Sequence, residues 1–184
     1  MISHENAIKF LHQHIQNANM RKHCLASQAV LRAIAMKLNE DPEEWGMAGL
    51  LHDIDVEITQ GDFLQHGPYA ARMLDGLLSA QAIDAIVMHN EMASGKERTT
   101  KFQHALAAGE TITGLIMATA MVYPDKKLAS VKTKSITKRM KEKAFAASVN
   151  RETIMECELI GIPIHEFAEL SLEAMQEISE ELGM

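Results

Sequence analysis

Residues 47–57 constrain this chain most strongly, because an apolar run there ends directly in two side chains that commonly bind metals. The run Met47-Ala-Gly-Leu-Leu51 has the composition of a buried helix, and His52 and Asp53 follow it without a break. Neighbours on a helix point about 100° apart, so such a pair usually diverges. Both can still bind one ion that lies beyond the helix end, or Asp53 can bridge two ions. The stretch therefore predicts a buried helix that delivers two ligands to one place.

The rest of the chain favours helix throughout. We find no alternation of apolar and polar residues of any length, which a half-buried strand would show. Ala, Leu, Glu, Lys and Met are frequent and there are only 4 Pro, and such a composition favours helix. Aromatic residues are only 4%, so the core must be aliphatic, with 13 Met as flexible fillers. At 184 residues the chain suits one core. We therefore predict an all-α fold, a single-domain helical bundle of about eight helices over residues 1–184.

Caps and chain breaks give the order of the predicted helices. Asp41 followed by Pro42 is typical of an N-cap with Pro at the first helical position, and Pro124 ends a long helix. We place the metal core at about residues 21–122 and expect the basic and C-terminal helices of residues 126–184 to pack on it. The predicted helices cover residues 5–16, 21–38, 42–53, 69–78, 80–89, 101–122, 135–145, 150–160 and 166–182.

Charge and cysteine usage exclude several classes of protein. The formal net charge of −7 argues against a nucleic acid polymer as partner. Cys24 and Cys157 make no disulfide framework, which is typical of a reducing compartment. The most apolar stretch, residues 106–122, contains Gly109 and Glu110 and is too short and polar to cross a membrane. The first residues lack the pattern of a signal peptide. We expect a cytoplasmic protein without a membrane partner, and the oligomeric state stays open.

A basic segment precedes an acidic one near the C-terminus. Residues 126–143 hold eight Lys or Arg against one acid, Glu142, and residues 152–184 hold nine acids and no Lys or Arg. The two segments can pair with each other, or the first can bring positive charge to a site that takes phosphates. Most such stripes are solvated surface. As substrate-binding residues we predict Lys132, Lys134 and Arg139.

Four more candidate ligands stand elsewhere in the chain, and each has an ordinary interpretation. His23 could be a surface or capping residue, His66 a turn residue and His89 a helix terminus. Glu110 is harder to explain in this way, because it lies in a helix rich in Ala and Leu and a buried carboxylate needs a partner. Imidazole and carboxylate ligands together suit divalent metals, so the set predicts a metal site if these residues converge.

The order of these residues resembles the HD-domain superfamily of metal-dependent phosphohydrolases. The resemblance extends from His23 to about Ile116. It implies a first metal held by His23, His52, Asp53 and Glu110, and a second held by Asp53, His66 and His89. The matching motifs are Leu50-Leu51-His52-Asp53-Ile54, His66-Gly67 followed by Ala70-Ala71, Ile86-Val87-Met88-His89, and the segment of residues 107–115 in which Glu110 precedes Thr113-Gly114.

Two positions depart from the family pattern. Asp55 stands where many members have Gly after His-Asp-Ile, and Glu110 occupies the place of a terminal Asp. Glu binds the same ions but reaches about one methylene further, so the geometry or the preferred metal can differ.

The resemblance implies a divalent-metal phosphohydrolase that acts on a small phosphate ester or anhydride, expected to be a nucleotide. Its catalytic residues are Asp53 and His52, and the nucleophile is hydroxide made available by one or two ions of Mn, Fe, Co, Ni, Zn or Mg. Two alternatives stay open. One is a two-iron oxygenase of a small polyol or phosphonate, and the other is a catalytically weak protein that binds a nucleotide or regulates a partner.

Overall fold

The computed structural model describes all 184 residues, and every regular element in it is a helix. The predicted all-α class is confirmed. There are twelve α-helical segments, of which eight have seven residues or more and four have only four or five, so the total exceeds the predicted eight. The segments are α1 His4–His14, α2 Ala18–Leu38, α3 Pro42–Leu51, α4 Val56–Thr59, α5 Pro68–Leu74, α6 Ala80–His89, α7 Glu91–Ser94, α8 Lys101–Met121, α9 Thr133–Met140, α10 Arg151–Met155, α11 Ile164–Glu177 and α12 Ser179–Leu182.

Local capping residues explain where the main helices begin. The Asp41 side chain accepts hydrogen bonds from two backbone N–H groups at the start of α3, and Pro42 is the first residue of that helix. Thr100 and Gln103 form a reciprocal capping box at the start of α8. The end of α5 is earlier than predicted, because the chain turns after Leu74 and Gly76 takes a positive φ of 72°.

Helices α2 and α8, each of 21 residues, form the centre of the bundle. They contact each other, α3 packs against α2, and α11 packs against both α2 and α8. The approach of α3 to α2 is very close at Gly49, where an added Cβ would lie 2.7 Å from the carbonyl oxygen of Ser27. Glycine is therefore required there, one turn before His52, and the C-terminal end of α3 is held against α2.

Membrane-spanning segments are not among these elements. No helix combines the length and the hydropathy that crossing a lipid bilayer requires.

Candidate metal centre

Five of the six predicted ligands meet at one place, although they come from four parts of the chain. His23 lies in α2, His52 and Asp53 follow the end of α3, His66 precedes α5, and His89 is the last residue of α6. Their ligand atoms form two groups, His23 with His52 and Asp53, and Asp53 with His66 and His89. Within each group all ligand atoms lie within 4.8 Å of one another. Asp53 belongs to both groups.

Each carboxylate oxygen of Asp53 faces a different pair of imidazoles. Oδ2 lies 3.4 Å from Nε2 of His52 and 3.6 Å from Nε2 of His23. Oδ1 lies 3.2 Å from Nε2 of His66 and 3.4 Å from Nε2 of His89. The two Nε2 atoms are 3.1 Å apart in the first pair and 3.0 Å apart in the second. The site is thus two similar halves that share one carboxylate.

The hydrogen bonds of the Nδ1 atoms, which point away from the cluster, show which nitrogen of each imidazole is free to bind an ion. Nδ1 of His52 donates to the carbonyl of Gly49, and Nδ1 of His89 donates to the carbonyl of Ile86. Since a carbonyl can only accept, the neutral rings carry their protons on Nδ1. Their Nε2 lone pairs therefore point into the site.

The other two histidines follow the same rule. Nδ1 of His66 donates to Oδ1 of Asp55 over 2.8 Å. Nδ1 of His23 lies 3.0 Å from Oγ1 of Thr113, and that hydroxyl donates its own proton to the carbonyl of Glu110, so it accepts from His23. All four neutral imidazoles thus present Nε2 as a ligand, with the outer nitrogen fixed by a partner as in known metal sites.

The donor set and its spacing fit divalent ions. Ligand atoms about 2.1 Å from an ion lie about 3.0 Å apart at neighbouring corners of an octahedron and about 3.4 Å apart in a tetrahedron. The distances within the two groups run from 3.0 to 3.6 Å. Four lone pairs and a carboxylate that converge at such distances need protons or cations between them. The groups can therefore hold one ion each, with Asp53 between them.

The charges within the cluster already favour the ionised carboxylate. Burial would raise the pKa of Asp53, but the charge of His52 and the nearby imidazoles of His66 and His89 outweigh it and hold that pKa well below its usual range. Burial would likewise lower the pKa of His66, yet Asp53 and Asp55 raise it to about 10. The pKa of His23 is lowered, first by burial and then by the charge of His52. The carboxylate of Asp53 therefore stays ionised, which is the form that binds a cation.

Asp55, which stands where the family pattern has glycine, is part of this site. It is fully buried. Its Oδ1 accepts from His66, and its Oδ2 accepts from the backbone N–H groups of Gly67 and Ala70 at 2.8 and 2.9 Å. Gly67 has a φ of 94°, which only glycine adopts easily. Asp55 thus orients His66 and caps α5 at once. The sequence signal was a second acid two residues after the first.

Glu110 lies at the edge of the cluster rather than within it. Its Oε2 is 3.6 Å from Nε2 of His23, on the side of the first group, but it belongs to neither compact group of ligand atoms. Its Oε1 accepts a hydrogen bond from Thr111. The carboxylate is on the correct side to complete the coordination of the first group, and its role as ligand stays a prediction.

The cluster opens to solvent at a cavity of about 330 Å³. His52 is completely buried, so it can act on a substrate only through an ion that it binds. The residues around the cavity come from α2, α6, α8, α10 and the chain that leads into α10. They are His23, His89, Glu110, Thr111, Gly114, Ser148, Val149, Asn150 and Thr153.

The three predicted substrate-binding cations lie outside this lining. Lys132 and Lys134 are exposed. Arg139 pairs with Glu142 and stacks over the ring of Phe145 at 4.2 Å from the ring centre, and it lines a separate depression at the end of α8. The structure does not bring them to the cluster, and their binding role stays a prediction. Instead, the chain that follows the basic segment lies at the opening.

The helical bundle and its shared His/Asp cluster define a helical domain whose site is compatible with divalent metals. The family model of the HD domain matches residues 20–122, which is more than half of the chain, so the protein belongs to the HD-domain family. Members of this family are in general metal-dependent hydrolases. Neither a curated protein nor a solved structure matches the chain closely enough to identify a relative.

Proposed function

We propose that this protein is a divalent-metal-dependent phosphohydrolase that acts on a small phosphate ester or anhydride. The observation that carries the proposal is the position of Asp53, whose two oxygens face one pair of histidines each. A divalent ion in such a site lowers the pKa of bound water, so that a nucleophile is available near neutral pH. The nucleotide expected from the family resemblance stays a prediction within this class.

The residues of the chain have distinct roles in this proposal. His23, His52, His66 and His89 would hold the ions through Nε2, and Asp53 would bridge them. The partners of the outer nitrogens fix the rings, so little reorganisation is needed when an ion binds. The cavity beside His23 and His89 lets a substrate reach the cluster from one side.

The experiment is a phosphate-release assay on the purified protein after loading with Mn, Fe, Co, Ni, Zn or Mg. The panel contains nucleotides, sugar phosphates, 4-nitrophenyl phosphate and a generic phosphodiester. Metal-dependent release that is lost in Asp53→Asn would support the proposal. Asp62→Asn is the matched control, because Asp62 is an exposed loop acid whose side chain contacts only Leu64 and Gln65, and the substitution keeps the backbone carbonyl that accepts from the N–H of His66.

Three results would contradict the proposal. Absence of release with every metal would remove the hydrolase function. Oxygen consumption by the iron-loaded protein, with a mixed-valence iron signal, would instead identify the two-iron oxygenase. Tight nucleotide binding without turnover, unchanged in Asp53→Asn, would identify a binding or regulatory protein.

A further inference from the structure

Part of the cavity wall comes from residues 148–153. Ser148, Asn150 and Thr153 line the cavity there together with Val149. Asn150 uses its Oδ1 to accept from two backbone N–H groups at the start of α10, which leaves its amide N–H₂ without a protein partner. The hydroxyls of Ser148 and Thr153 make no hydrogen bond within the protein either. Three uncommitted polar groups therefore face the same cavity as the metal ligands.

This wall is fixed in place by one arginine. Arg151 donates to the backbone carbonyls of Phe145, Ala146 and Val149. Each of these bonds spans only two to six residues, so the guanidinium closes the chain before α10 into a compact loop. Val149 packs against Gly114 of α8. The hydroxyls and the amide are thus presented by a preformed surface, which reduces the entropy lost when a ligand binds.

The lining also lacks two kinds of side chain that would hold a nucleotide. Apart from the imidazoles of His23 and His89, no aromatic ring lines the cavity, and no Lys or Arg does. A nucleobase is commonly held by stacking on an aromatic side chain, and a chain of phosphates is usually held by several cations. The volume of about 330 Å³ lies near the lower end of the range for ligand cavities, about 300–1,000 Å³.

We propose that the substrate is a small hydroxyl-rich phosphate monoester, a sugar or polyol monophosphate, rather than a nucleotide. This inference rests on the proposed phosphohydrolase function and names its substrate class. The phosphate lies at the His/Asp cluster, and the hydroxyls of the leaving group bind Ser148, Asn150 and Thr153. Water supplies the oxygen that joins phosphorus, the ester bond to the sugar oxygen breaks, and that oxygen takes up a proton as the alcohol leaves.

The test compares substrate classes on the metal-loaded wild-type protein. It measures kcat/KM for glucose 6-phosphate, sorbitol 6-phosphate and glycerol 3-phosphate against AMP, ATP and 4-nitrophenyl phosphate. Dissociation constants of a sugar methylenephosphonate and a nucleoside methylenephosphonate, which resist hydrolysis, are measured by calorimetry on the same protein. We expect the best sugar or polyol compound to exceed the best nucleotide by about tenfold or more in both measurements, since each lost hydrogen bond is worth about fivefold.

Variants then test the wall itself. Thr153→Val removes a hydroxyl at nearly constant volume, and Asn150→Asp keeps the cap but removes the free N–H₂ donors. Each should raise KM for the preferred hydroxylated substrate by about fivefold, with a smaller change in kcat and an unchanged metal content. Thr99→Val, at an exposed threonine outside this cavity, is the matched control.

The outcomes separate the two proposals. Release from nucleotides in preference to sugar phosphates would overturn the substrate class and leave the hydrolase function intact. Absence of release together with tighter binding of the sugar phosphonate would remove the hydrolase function and support the binding wall. Equal or no binding of the two phosphonates would overturn the inference whatever the turnover.

Discussion

Replacing Asp55 by Asn should weaken one half of the metal centre without removing a ligand. Asn has the same shape as Asp, but one of its two terminal groups is a donor. Asp55 accepts on both sides, from Nδ1 of His66 and from the backbone N–H groups of Gly67 and Ala70. One of these contacts must therefore place two donors against each other.

The structure decides which contact is lost. If the new N–H₂ group faced Gly67 and Ala70, two backbone donors would be left without an acceptor, at a cost of about 1–3 kcal/mol each. If it faces His66, the neutral ring can move its proton from Nδ1 to Nε2 and accept from the amide. The second arrangement is the less costly one, but it removes the lone pair that binds the metal. Loss of such a partner typically weakens metal binding about 10- to 100-fold, or about 1.4 to 2.7 kcal/mol.

Calorimetric titration with Mn or Co measures this effect, with the number of bound ions and each dissociation constant as the readout. Asp55→Asn should keep the ion of the His23–His52 pair and weaken the ion of the His66–His89 pair. Long-range ¹H–¹⁵N spectra of the imidazoles report where the proton of His66 lies. Asp62→Asn, in the loop that follows α4, removes an equal charge and should change neither. Wild-type affinity for both ions in Asp55→Asn would refute the role of Asp55 in fixing His66.

Three further predictions concern the metal ligands, the effect of the bound ion, and an ion pair outside the site. His66→Ala and His89→Ala should each reduce the number of bound ions toward one and keep the helical circular-dichroism spectrum. Asp53→Ala should lose both ions by elemental analysis, and two ions retained in that variant would contradict the proposal that Asp53 bridges them. Chelation should lower the Tm at neutral pH, because an ion that binds only the folded state stabilises it; an unchanged melting curve after demonstrated metal loss would show that the fold does not depend on the ion. The affinity for the ion at His66 should rise with pH up to about 10, because the ring loses the competing proton as pH approaches its pKa. Glu156→Gln should lower the free energy of unfolding by about 2 kcal/mol, because it weakens charge-assisted hydrogen bonds to the buried Arg98, which keeps Glu91 as a second partner. Burial would raise the pKa of Glu156, but Arg98 outweighs it and lowers that pKa. Urea titrations should therefore show the full difference in stability between wild type and variant above the unfolded pKa of about 4.3, and the difference should disappear as pH falls through the lower folded pKa. A difference in stability that grows in acid would contradict the pairing.

The cap and break residues of the sequence were sufficient for most helix positions. The helix at residues 80–89 was predicted with the bounds that the structure has, and Asp41 caps α3 as expected. Caps and periodicity act between residues a few positions apart, so they can be read without a tertiary structure. The predicted basic helix was displaced, and α9 covers Thr133–Met140 instead of residues 135–145. Its predicted C-terminal part is instead the loop that Arg151 closes, through contacts that no helical pattern shows.

For the site, the sequence determined which side chains are candidate ligands, and the packing decided how they meet. The order of histidines and acids, together with the family resemblance, was enough to select His23, His52, Asp53, His66 and His89. Only the tertiary structure gave each oxygen of Asp53 its own pair of imidazoles, because those rings come from helices that pack side by side but lie far apart in the chain. The same reason applies to Asp55, whose partners are 11 to 15 residues away, and to the wall of residues 148–153. A pattern of residues along the chain does not show which surfaces pack against each other in the folded protein.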